Sequence, residues 1–92
     1  MKKQICILGS TGSIGTQALD VIREHNDRFE AYCLTANNRV EQLAQQAREF
    51  RPAAVVIANE EHYDRLKELL SDLPDIKVYA GRDALDQIVE AS

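Results

Sequence analysis

Tryptophan is absent from this chain of 92 residues, and methionine, proline, cysteine and glycine are scarce: one, two, two and four copies respectively. Two cysteines, Cys6 and Cys33, cannot build a disulfide framework. Both lie in apolar stretches, where a thiol serves as a small buried hydrophobe, and a bridge between buried strands is not expected in a reducing compartment. With no histidine near them they form no zinc site. The only histidines, His25 and His62, share no helical spacing and offer no metal pair. No apolar run approaches the ~20 residues that cross a bilayer. Lys2-Lys3 leads into only a short apolar run before glycines intervene, which is not the layout of a signal peptide. Basic and aromatic residues do not interleave as they do in single-strand binders. The net charge of -4, from 11 basic and 15 acidic side chains, argues against nucleic acid or an anionic membrane as partner. These absences describe a cytoplasmic protein with neither kind of partner.

What is present is ordinary for one small soluble domain: 45% hydrophobic and 28% charged residues. A domain of this size buries only about two-thirds of its unfolded surface. Three of the four glycines fall in one place, at Gly9, Gly12 and Gly15. They follow the apolar run Ile5–Leu8 and precede Ala18, Leu19, Val21 and Ile22, which share a helical side. This is strand, tight turn, helix. The first glycine permits a sharp turn, the second lets backbone approach a pyrophosphate, and the third lets the helix pack on the sheet. Amides at the start of a helix have no internal partner and, with the helix dipole, favour an anion. The turn is therefore a phosphate cradle. Ser10, Thr11 and Ser13 have no base nearby to make a nucleophile and read as hydroxyl donors to that phosphate.

The rest of the chain repeats the alternation. A strand covered on both faces is expected at Ile5–Leu8, and a helix at about Ile14–Glu24, ended by Asn26-Asp27 with His25 as a capping cation. A second strand spans Phe29–Thr35. A second helix buries Val40, Leu43, Ala44 and Ala47 and closes at Pro52. The third strand is Ala53–Ala58. Asn59 caps a third helix with Glu60 and Glu61 in its first turn and Leu66, Leu69 and Leu70 on its apolar face. A short strand at Ile76–Tyr79 and a last helix carrying Leu85, Ile88 and Val89 complete the order βαβαβαβα. Such alternation implies an α/β fold: a doubly wound, Rossmann-like parallel sheet with helices on both faces. Residues 1–92 read as an N-terminal dinucleotide-binding domain. An open parallel edge is unusual, so this domain is expected to be incomplete, a truncated piece or the opening segment of a larger protein.

In such folds the end of the second strand selects the cofactor: a carboxylate grips the NAD ribose, whereas arginine or polar groups accept the NADP 2′-phosphate. Residues 35–39 read Thr-Ala-Asn-Asn-Arg and contain no carboxylate. Arg39 supplies a charge-assisted hydrogen bond, and Asn37 and Asn38 supply amide donors. NADP is favoured over NAD. No residue offers acid–base chemistry; Glu60 and Glu61 are helix-start residues, and His62 is a surface residue. A hydride enzyme can contain such a part, because the nicotinamide carries the reactive atom.

The run Leu8-Gly9-Ser10-Thr11-Gly12-Ser13-Ile14-Gly15, with Ala18-Leu19-Asp20-Val21-Ile22 and Leu34-Thr35-Ala36-Asn37, resembles the 1-deoxy-D-xylulose 5-phosphate reductoisomerase family, and the resemblance extends over nearly all of the chain. It implies an NADPH-dependent oxidoreductase of non-mevalonate isoprenoid biosynthesis, which rearranges 1-deoxy-D-xylulose 5-phosphate and reduces the intermediate to 2-C-methyl-D-erythritol 4-phosphate. It further implies Mg²⁺ or Mn²⁺ and a homodimer. By the same resemblance Thr11, Gly12, Ser13 and Ile14 contact NADPH, and Asn37, Asn38 and Arg39 surround its adenosine phosphate. The family often has asparagine where this chain has Arg39. No position matches the family's metal ligands, substrate phosphate site or catalytic loop, so no residue here is assigned as catalytic or metal-binding, and this piece alone is expected to be inactive. Two other readings remain at this stage: the NADP-binding part of another dehydrogenase, such as a semialdehyde dehydrogenase, and a non-catalytic dinucleotide-sensing module.

Overall fold

The computed structural model describes residues 2–81 and 84. Strands β1 (Lys3–Ile7), β2 (Phe29–Ala36), β3 (Ala54–Ile57) and β4 (Lys77–Ala80) form one parallel sheet in the order β1-β2-β3-β4. Helices α1 (Ser13–Glu24), α2 (Val40–Phe50) and α3 (Tyr63–Leu69) connect them, α3 being entered through a 3₁₀ turn at Glu60–His62. The expected alternation is present through β4. The expected last helix with Leu85, Ile88 and Val89 lies outside the described residues.

Each strand is laid beside its predecessor in the same direction. Right-handed crossovers then bring all three connecting helices to one face. That face holds a single core: Ile7, Leu34, Val55 and Ile57 from the sheet against Leu19, Ile22, Leu43, Ala47, Leu66 and Leu70 from the helices. The described helices thus supply one of the two layers expected. Cys33 and Val56 alternate onto the other face and are also buried. Burial pushes the Cys33 thiol pKa well up, with adjacent Cys6 adding to the shift; both cysteines are free.

Three local expectations change. Full coverage of the first strand does not hold among the described residues. Among these residues β1 pairs only with β2, Lys3 and Gln4 are exposed, Ile5 and Cys6 are half-buried, and Leu8 sits in the following turn, 57% exposed. In α1 the buried stripe is Gly15, Leu19 and Ile22, whereas Val21 faces solvent. The i, i+4, i+7 row is the one turned to the sheet, and Val21 falls beside it. Finally, Asn59 caps the 3₁₀ turn, accepting from the Glu61 amide at 3.0 Å, so α3 proper begins four residues later.

The helices are also joined at the surface. Arg23 on α1 bridges Asp20 and, at 2.5 Å, Glu49 on α2, and it lies over the Phe50 ring at 5.3 Å. Arg48 on α2 forms a two-point pair with Asp72 beyond α3, at 2.6 and 3.0 Å. These guanidinium hydrogen bonds hold the Glu49 and Asp72 carboxyls below their ordinary values. His25 is the C-cap of α1. Its amide donates to the Val21 carbonyl, and its own carbonyl accepts from the Arg28 and Phe29 amides.

Candidate functional site

A parallel sheet brings the C-terminal ends of its strands to one edge. Here the loops after β1, β2 and β3 continue the ladder beyond the strands. The Ser10 amide donates to the Thr35 carbonyl at 2.8 Å, Ala58 to Ala36 at 2.8 Å, Asn59 to Asn37 at 3.1 Å, and Gly81 to Ile57 at 2.9 Å. The glycine turn, the 37–39 turn and the 58–59 turn therefore stand side by side. Proteins of this architecture hold ligands at this edge.

The glycine turn is tight and braced. Gly9 has φ +71°, a left-handed conformation that costs glycine little. Gly15 permits a close backbone approach, since a Cβ there would stand 2.6 Å from the Ser10 Cα. Its close neighbour is thus the backbone of the turn itself rather than the strands, which differs from the sheet-packing role expected of the third glycine. Gly12 is exposed, and a Cβ there would meet only the Gly9 carbonyl at 3.4 Å.

Two side chains outside the motif hold this shape. The Thr35 hydroxyl on β2 accepts from the Gly9 amide at 2.8 Å and points its proton toward the Ile7 carbonyl at 3.4 Å. On α2, Gln46 makes a two-point lock: its Oε1 accepts from the Ser10 hydroxyl at 2.7 Å, and its Nε2 donates to the Ser10 carbonyl at 2.8 Å. Ser10 is fully buried. The expectation that Ser10 donates to phosphate is therefore corrected, because its one proton is committed to Gln46. Sequence spacing offered no signal for Gln46, which lies 36 residues from its partner. Thr35 carried a weak signal as a hydroxyl among apolar strand residues.

The mouth of the turn is open. No side chain caps α1, and its first turn contains no acidic residue. The earliest helical amide with a local partner is that of Thr16, donating to Gly12 at 2.9 Å. Those before it in the helix precede the first possible intrahelical bond and face the opening of the turn. Thr11 is half-buried, whereas Gly12, Ser13 and Ile14 are exposed, Ile14 by 84%. The fit to an anion is good: Gly12 exposes bare backbone at the mouth, the Ser13, Ile14 and Gly15 amides are unclaimed, and no carboxylate competes with the dipole.

Asn37, Asn38 and Arg39 form the neighbouring turn, all exposed. Arg39 occupies the N-cap of α2 without a side-chain cap bond and makes no ion pair among the described residues. A cation at a helix N-terminus is placed against the dipole; a bound phosphate would relieve that placement. Asn37, Asn38, Ala58 and Asn59 line a hollow of about 360 Å³. A larger apolar cavity, about 550 Å³, lies between α3 and β4 and shares no residue with either turn. No group of three or more histidine, cysteine, aspartate or glutamate side chains that could hold a metal occurs among the described residues. His62, expected at the surface, is half-buried.

A family model described as 1-deoxy-D-xylulose 5-phosphate reductoisomerase matches residues 5–92. Curated relatives of that name include one from Phocaeicola vulgatus, 74% identical over 91 residues and 99% of this chain, and one from Bacteroides thetaiotaomicron, 76% identical over 90 residues and 98% of this chain. The chain spans 24% and 23% of their lengths, about a quarter. Among solved structures, the Zymomonas mobilis reductoisomerase in complex with NADPH is 39% identical with a TM-score of 0.88, over 92% of this chain and 22% of that one. A DOX-P reductoisomerase in complex with NADPH, fosmidomycin and magnesium is 33% identical with a TM-score of 0.84, over 90% and 20%. These matches favour the reductoisomerase reading over a semialdehyde dehydrogenase.

Proposed function

This chain belongs to the 1-deoxy-D-xylulose 5-phosphate reductoisomerase family, and from that premise we propose that it is the N-terminal part of the NADPH-binding, Rossmann-like domain of such an enzyme. The diphosphate is held by Thr11, Gly12, Ser13 and Ile14 at the entrance to α1. The 2′-phosphate of the adenosine ribose is held by Asn37, Asn38 and Arg39. The observation that carries this reading is the open mouth of the glycine turn, where the Ser13, Ile14 and Gly15 amides at the start of α1 are unclaimed while the Gly9, Ser10 and Gly12 amides and the Ser10 side chain are spent in bracing the turn.

NADPH supplies the hydride that reduces the rearranged substrate, 1-deoxy-D-xylulose 5-phosphate, toward 2-C-methyl-D-erythritol 4-phosphate. This chain's residues bind and orient the cofactor, and hold no proton in transit. The Mg²⁺ or Mn²⁺ ligands and the substrate-binding groups belong to the part of the relatives' length that this chain does not span. The whole enzyme works in the cytoplasm as a homodimer, with neither nucleic acid nor membrane as partner, and residues 1–92 alone do not turn over substrate.

Calorimetric titration of the chain with NADPH and NADH tests the cofactor assignment. NADPH is expected to bind more tightly. Preference for NADH overturns the roles given to Asn37, Asn38 and Arg39, and turnover by the chain alone overturns its assignment as a binding part only.

A further inference from the structure

The polarity of one surface amide follows from a bond that cannot be reversed. At the end of β3 the Asn59 Oδ1 accepts from the Glu61 backbone amide at 3.0 Å. A backbone N–H is always a donor, so the other side-chain atom of Asn59 must be Nδ2. That Nδ2 meets the Asn38 side chain at 2.7 Å. The Asn38 atom facing it is therefore its carbonyl oxygen, and the Asn38 NH₂ is turned away from Asn59. The Asn59 backbone adds a further tie, donating to the Asn37 carbonyl at 3.1 Å. The two turns are joined across the sheet edge at both main chain and side chain.

The consequence is chemical. On the side away from Asn59, Asn38 offers N–H donors, while its carbonyl oxygen is turned toward Asn59. A ribose 2′-hydroxyl is held best by an acceptor that takes its proton; a 2′-phosphate needs donors only. We propose that Asn59 is a positioning residue for cofactor choice: by engaging the Asn38 carbonyl it presents the Asn38 NH₂ to a phosphate at the adenosine ribose. This rests on the dinucleotide reading of the site and extends it to a residue one strand away from the selecting turn.

The test compares 2′,5′-ADP with 5′-AMP, which differ only by the 2′-phosphate, in titrations of the chain. Asn59→Ser keeps an oxygen able to cap the 3₁₀ turn and removes the amide that reaches Asn38; a thermal melt checks that it folds. The wild-type preference for 2′,5′-ADP is expected to fall about three- to tenfold in Asn59→Ser, the scale of one ordinary net hydrogen bond, with 5′-AMP binding unchanged. In an Asn38→Ala background the same substitution is expected to change the preference less than about twofold, since the coupled partner is gone. An unchanged preference, an equal loss of both ligands, or an effect that persists without Asn38 overturns the inference while leaving the cofactor reading intact. A wild-type chain with no preference for 2′,5′-ADP overturns both.

Discussion

The Thr35 hydroxyl accepts a hydrogen bond from the Gly9 amide at 2.8 Å, tying the turn that follows β1 to a side chain on β2. The two residues are 26 positions apart in the chain. Thr35→Val keeps the shape of the side chain and removes the acceptor, leaving the Gly9 amide unsatisfied beside the core. A loss of ~1–3 kcal/mol is expected by urea denaturation, with weaker NADPH binding as the turn loosens. Thr35→Ser keeps the hydroxyl and should lose less than half as much. Equal stability for the valine and serine variants would show that the hydroxyl is not a support.

The three glycines should separate by substitution to alanine. Gly15→Ala gains about 1 kcal/mol of helix propensity, yet the new methyl meets backbone of Ser10 at 2.6 Å. Backbone cannot swing aside as a side chain can, so a net loss of ~1–3 kcal/mol is expected. Gly12→Ala should keep the fold and weaken NADPH binding about tenfold, corresponding to ~1.4 kcal/mol of lost contact, because its face is the open one. Thermal melts and cofactor titrations of both variants check the pair. The reverse pattern would place the cofactor elsewhere.

Arg39 is expected to carry most of the preference for the phosphorylated cofactor. Arg39→Ala removes a hydrogen bond to a charged group, ~1.5–3 kcal/mol. NADPH affinity should drop ten- to about 150-fold, with NADH affinity nearly unchanged. The wild-type preference should also narrow as salt rises, since the pair is exposed and screened. A variant that still prefers NADPH as strongly as wild type would remove Arg39 from the site.

Acid should weaken the joints between helices. The folded-state pKa of Glu49 lies below its ordinary 4.5, and that of Asp72 below 3.8, chiefly through hydrogen bonds from Arg23 and Arg48. For such groups the added stability is present above the ordinary value and is lost as pH falls through the folded one. Between pH 7 and 5 the melting temperature should be flat with respect to these two groups, and it should decline below about pH 4.5. Both pairs are close to half-exposed, so each effect is small. The double variant Glu49→Gln, Asp72→Asn should have a shallower acid slope than wild type; an identical slope would assign the acid sensitivity to other carboxylates.

The chain itself determined the elements. Alternating apolar runs and helical stripes fell within a residue or two of each described strand, because periodicity is local and each run had turn residues at its ends. It also determined the chemistry of the open turn, since a helix that starts directly after a glycine turn leaves its first amides without intrahelical partners wherever it packs. Strand order was decided only in three dimensions. The alternation is compatible with several parallel orders, and the one found among the described residues places β1 at an edge and three helices on one face. The supports of the site were decided there too. Ser10 could be read as a phosphate ligand until packing buried it against Gln46, and Asn59 as a simple cap until β2 and β3 brought it to Asn38. A hydrogen bond between residues 21 to 36 positions apart leaves no spacing to read, because folding rather than the chain makes them neighbours.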